Sequence, residues 1–87
     1  MILRGGLVIH IGDVQLLAVI DLKTKEYKNT NFNGEKCYVS YCFGDCMIVR
    51  FEAAVWRTSN VIRSKQDDNG IIEVMTLNSR YRFKKNL

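Results

Sequence analysis

Proline is absent from this 87-residue chain, and histidine and tryptophan occur once each. With no proline, repeat, linker or low-complexity stretch to divide it, residues 1–87 read as a single domain. Long hydrophobic runs are missing too. Asp13 and Gln15 interrupt the richest stretch, Leu7 to Leu22, so nothing approaches the roughly 18 apolar residues of a membrane span. The opening Met-Ile-Leu-Arg-Gly-Gly has no basic region ahead of a long apolar block and no small-residue cleavage site. A cytoplasmic protein with no membrane partner is therefore expected.

The scarcity of histidine bears on catalysis. His10 lies in the alternating run Val8-Ile9-His10-Ile11-Gly12, with the parity of Val8 and against that of Ile9 and Ile11. It reads as a half-buried strand residue rather than a general base. No Ser or Cys has a nucleophile motif around it, no paired carboxylates stand out, and Gly5-Gly6 lacks the strand–turn–helix setting of a phosphate loop. The expectation is a protein that is not an enzyme.

Cysteine is sparse and odd in number, with Cys37, Cys42 and Cys46 within ten residues. That pattern suits free thiols in a reducing compartment. Structural zinc needs four soft ligands, usually in closely spaced cysteine pairs. Here the spacing is Cys-x4-Cys-x3-Cys with His10 as the only other ligand, and Cys37 has the opposite strand parity to Cys42. No metal and no cofactor are expected. Cys42 and Cys46 should face each other across a Gly44-Asp45 turn.

What is present is material for a small sheet. An apolar fraction of 47% is enough for a core, and 25% charged is ordinary for a globular domain. Residues 2–11 and 14–22 are rich in Ile, Val and Leu, with Gly12-Asp13 as a turn between them, although 16–22 also fits a short helix. Residues 23–36 form a polar connection, expected to be the least ordered segment. Strands are expected at 37–43 and 46–56, joined by a two-residue hairpin beginning at Gly44. Two more, at 59–66 and 71–77, flank Asp67-Asp68-Asn69-Gly70, where Asn-Gly between β-branched runs is a strong hairpin signal. The last strand, 79–85, puts Tyr81 and Phe83 on one face and Arg80, Arg82 and Lys84 on the other. Short strands and tight turns, without room for crossover helices, indicate an all-β fold: a small antiparallel barrel or sandwich built of hairpins. So small a core, with edge strands to cover, leads to the expectation of a homo-oligomer.

Charge is the most uneven property. Residues 50–87 carry eight basic and four acidic side chains, whereas residues 1–49 carry five of each. All of the net charge of +4 is thus C-terminal. A segregated basic face attracts anions. Two clusters should close that end of the sheet: Arg57, Thr58 and Ser59, and then Asn78, Ser79, Arg80 and Tyr81. Arginine offers planar bidentate donors to phosphate, Ser, Thr and Asn offer short hydrogen bonds, and Tyr stacks on bases. These seven are the candidate ligand-binding residues, and the expected ligand is a nucleotide or nucleic acid. The same hydroxyl and amide residues also suit turn construction. Trp56 with Tyr81 and Phe83 suits core packing better than a stacking platform.

The pattern Arg57-Thr58-Ser59-x-Val61, then Thr76-x-Asn78-Ser79-x-Tyr81-x-Phe83, resembles small phage and prophage proteins of the Thoeris anti-defence type. That resemblance implies sequestration of a signalling nucleotide of bacterial immunity, an oligomer with its anionic-ligand pocket between subunits, and roles for the seven residues just named. Ile9-His10-Ile11-Gly12 with Leu17-Ala18-Val19-Ile20-Asp21-Leu22 resembles the small bacterial extracellular-matrix regulator B family, which implies a DNA-binding regulator. A protein that blocks a partner's surface is the further alternative.

Overall fold

Strand alternation accounts for most of the core. A computed structural model describes residues 8–85, in six strands: β1 (Ile9–Asp21), β2 (Lys36–Tyr41), β3 (Cys46–Phe51), β4 (Val55–Gln66), β5 (Ile71–Thr76) and β6 (Ser79–Lys85). Every second residue of β2, β3 and β5 points inward: Cys37, Val39 and Tyr41; Met47, Val49 and Phe51; Ile72, Val74 and Thr76. Consecutive strands pair antiparallel, and β6 returns to β1, so the sheet closes into a barrel. Closure gives the strands partners on both sides and buries Val14, Leu16, Val39, Met47, Val49, Val74 and Phe83 completely.

β1 is one strand where a turn was expected. Gly12-Asp13 does not reverse the chain; the pairing with β2 slips between His10 and Gly12 and continues. Gly12 has φ of +91°, which places it in the region glycine enters without strain, and a β-bulge results. A second slip, between Leu16 and Ala18, affects the pairing with β6. Each slip moves the inward face by one residue. The interior series accordingly runs Ile9, Ile11, then Val14, Leu16, then Val19. Residues 16–21 are strand, so the helical alternative for this stretch falls.

The β3–β4 reversal was also misplaced. The chain turns at Glu52–Ala54, where Phe51 N–H donates to the Ala54 carbonyl at 2.8 Å, and β4 starts at Val55. Arg57, Thr58 and Ser59 therefore lie inside a 12-residue strand rather than at the opening of a hairpin. Between β2 and β3 the Asp45 N–H bonds to the Cys42 carbonyl at 3.0 Å, so the central residues are Phe43 and Gly44, with the positive-φ glycine second rather than first. The Asp67–Gly70 turn forms where expected. Asp67 Oδ1 accepts from the N–H groups of Asn69 and Ile71, at 2.8 and 3.0 Å.

The polar connection 22–35 is tied down. Lys28 N–H reaches the Val19 carbonyl at 2.7 Å, Gly34 N–H the Leu16 carbonyl at 2.7 Å, and Leu16 N–H the Glu35 carbonyl at 3.0 Å. Phe32 drops from this loop onto Phe51 and Trp56, with centroid distances of 4.4 and 5.4 Å. One aromatic in a polar run thus converts the segment into a plug, and Trp56 is spent on packing. His10 is exposed rather than half-buried, with Nδ1 2.9 Å from the Tyr38 hydroxyl. Among the three free cysteines, Cys37 is buried, and burial pushes its thiol up to about 11; Cys42 and Cys46 are half-buried. No helix among the described residues is long and apolar enough to cross a membrane.

Candidate anion-binding wall

The bulges in β4 decide which basic side chains share a face. The pairing of β3 with β4 slips near Met47, and that of β4 with β5 slips between Val61 and Arg63. Beyond Ile62 the register brings Arg63 opposite Met75 and Lys65 opposite Glu73. On the next pair Met75 stands opposite Arg80 and Glu73 opposite Arg82. Two rows therefore cross the outer face of three strands: Arg63, Met75, Arg80 and, one strand repeat away, Lys65, Glu73, Arg82. Cations occupy the four corners. Ile72, Val74 and Thr76 of the same β5 point inward and are buried, which fixes Glu73 and Met75 on the outside.

A single carboxylate serves three of these cations. Glu73 Oε2 accepts a 3.2 Å hydrogen bond from Arg82 Nη2, while its Oε1 lies 3.6 Å from Lys65 Nζ and 3.8 Å from Arg80 Nε. Arg80 Nε is buried and makes no hydrogen bond. No ion pair is recorded for Arg63 among the described residues. Arg63, Lys65, Glu73, Met75 and Arg80 surround a hollow of about 80 Å³, with three cations against one anion. A wider depression beside it, shared through Lys65 and Glu73, is lined by Leu17, Asp67, Ile71 and Arg82.

The seven residues singled out from the sequence separate into groups. Thr58, Ser59, Asn78 and Ser79 come together, but as a brace between β3, β4 and the β5–β6 turn. Thr58 Oγ1 accepts from Met47 N–H at 3.0 Å and donates to the Ser59 carbonyl at 2.7 Å. Ser59 Oγ donates to Thr76 Oγ1 at 2.9 Å and accepts from Asn78 N–H at 3.2 Å. Fully buried Thr76 also donates to the Ser79 carbonyl and accepts from Ser79 N–H, at 3.1 and 3.2 Å. The buried Ser79 hydroxyl makes no hydrogen bond. Tyr81 points toward the core beside Phe83, where burial pushes its phenol above the usual value. Arg57 is exposed opposite Ile48 and does not line the hollow that holds Arg80.

Arg80 is thus the one predicted residue in the basic hollow, to which the structure adds Arg63, Lys65 and Glu73, with Arg82 in the depression beside it. Their alternate spacing, Arg63-x-Lys65 and Arg80-x-Arg82, was a signal in the sequence. Joining the two pairs around Glu73 required the register. No protein-family model, curated protein or solved structure matches the chain.

Proposed function

We propose that this chain is a non-catalytic binding protein that captures an anionic ligand, a signalling nucleotide or nucleic acid, on the outer wall of β4, β5 and β6. The observation that carries this reading is the concentration of Arg63, Lys65, Arg80 and Arg82 around one carboxylate, Glu73. Excess positive charge in a shallow hollow attracts anions, and guanidinium groups match phosphate oxygens in geometry. The ligand class is the one that the resemblance to anti-defence proteins implies, whereas the proposed contact surface is the wall of one chain rather than a pocket between subunits built from the seven residues. The test is calorimetric titration of nucleotides and short oligonucleotides into wild type, Arg63→Ala and Arg80→Ala. Each charge-assisted bond is worth about 1.5–3 kcal/mol, so each variant should lose about tenfold to a hundredfold in affinity. Binding that ignores both substitutions removes the wall from the argument.

A second reading, association with another copy, is favoured by exposed Phe43, Ile62 and Leu77. Backbone bonds from Gly44 to Val61 and from Leu77 to Asn60, at 3.2 and 3.1 Å, bring their segments to one corner of the barrel. Light scattering of wild type and Leu77→Lys tests it. A monomer mass for wild type at tens of micromolar speaks against self-association.

A further inference from the structure

Charge on the wall is concentrated at one point rather than spread along a track. The hollow between Arg63 and Arg80 has Lys65 as a third cation and Glu73 as its one acid. In the neighbouring depression Lys65 and Arg82 face Glu73 and Asp67, so the two signs cancel. A nucleic-acid strand requires a run of cations matching successive phosphates, usually with aromatic side chains for its bases. The wall offers no exposed aromatic, and its one row of cations, Arg80, Arg82 and Lys84 on β6, is interrupted at Arg82, which Glu73 already engages. The large exposed aromatics among the described residues, Tyr27, Tyr38 and Phe43, lie in the β1–β2 loop, on β2 and in the β2–β3 turn, and Tyr81 of β6 points inward.

The hollow suits a compact group instead. Its volume of about 80 Å³ is on the scale of a few water molecules, each of which takes about 30 Å³ in the liquid. Its floor is Met75, with arginines opposite each other on the two flanking strands. Glu73 demonstrates that two of the hollow's cations close on an oxyanion, because its carboxylate already draws Lys65 and Arg80 to within 3.8 Å. Arg80 is the less committed of its two arginine neighbours, since it makes no hydrogen bond through Nε.

Building on the anion-binding reading of the same wall, we infer that the ligand is a small molecule presenting one phosphate group, free or as a terminal monoester, seated over Met75 between Arg63 and Arg80. A phosphomonoester carries nearly two negative charges at neutral pH, whereas each linkage of a nucleic-acid backbone carries one. A single strongly positive hollow therefore favours the terminal phosphate, and lengthening a strand adds no further contacts.

The experiment compares three probes by calorimetry at several salt concentrations: inorganic phosphate, adenosine monophosphate and a twelve-residue oligothymidylate with a 5′-hydroxyl. The expected result is saturable binding of phosphate or of the monophosphate, at least tenfold tighter than the oligothymidylate. The logarithm of affinity should fall with that of salt at a slope near one. Arg63→Ala and Arg80→Ala should each weaken this binding at least tenfold, and Arg57→Ala should leave it within twofold. The relative affinities of phosphate and monophosphate distinguish the free ion from the ester. Tighter binding of the oligothymidylate, with affinity rising with its length and a slope of three or more, overturns this inference in favour of a nucleic acid and leaves the anion-binding wall standing. Binding of none of the three probes overturns both. Melting curves of the variants, expected to match wild type because Arg63 is exposed and Arg80 part-exposed, separate loss of binding from loss of fold.

Discussion

Glu73 stands directly opposite Arg82 across the β5–β6 pair and accepts a 3.2 Å hydrogen bond from its Nη2. Lys65 faces the same carboxylate from β4, with Nζ 3.6 Å from Oε1. Glu73 is thus an internal counter-anion to the wall that a ligand must approach. Glu73→Gln keeps the shape and removes the charge. Anion affinity should rise about fivefold, equivalent to ~1 kcal/mol for a charge a few ångströms away in a partly solvated site. Stability should change by less than about 1 kcal/mol, because these pairs are part-exposed. An affinity that falls on this substitution means that Glu73 chiefly holds the arginines in place.

Thr76 is where the brace is most vulnerable. Its hydroxyl accepts from Ser59, in a part-buried bond, and from Ser79 N–H, and donates to the Ser79 carbonyl, both out of solvent. Thr76→Val strands a buried donor and acceptor and should cost about 1–3 kcal/mol in urea unfolding. Ligand affinity should stay unchanged. Reduced affinity in a fully folded Thr76→Val protein shows that the brace contributes to the site.

Gly12 isolates a backbone effect. Its φ is +91°, yet a Cβ built there meets nothing within 4 Å. Gly12→Ala should therefore cost about 1–2 kcal/mol through the disfavoured conformation alone, without a steric component. An unchanged urea midpoint shows that the bulge relaxes to a conformation alanine tolerates.

Cys37 sets the alkaline limit. Burial raises its thiol from 9.0 to about 11, so the folded protein keeps a proton that the unfolded chain releases. This contribution to stability is complete below pH 9 and is lost as pH rises through about 11. The raised phenol of Tyr81 acts in the same direction. Cys37→Val should make the urea midpoint fall less steeply above pH 9. In the native state, a thiol reagent should modify half-buried Cys42 and Cys46 before Cys37. Cys37 reacting as fast as the other two indicates a barrel that opens readily.

The sequence by itself determined the class of fold and the faces of its regular strands. Tyr81 and Phe83 against Arg80 and Arg82, and the Asp67–Gly70 turn, follow from alternation and local turn chemistry, which act over two to four residues. Tertiary structure decided what depends on slips in register. At Ile11, Leu17, Thr58–Ser59 and Ile62 one extra residue in the strand turns the following segment over, and no local preference records where closure of the ring requires that slip. The turn at Glu52–Ala54 has no glycine, proline or asparagine to announce it. Phe32 became part of the core only because barrel closure left Phe51 and Trp56 exposed at one end to receive it. Lys65, Arg80 and Arg82 converge on Glu73 because three strands paired in one register, and that pairing is a property of the closed sheet.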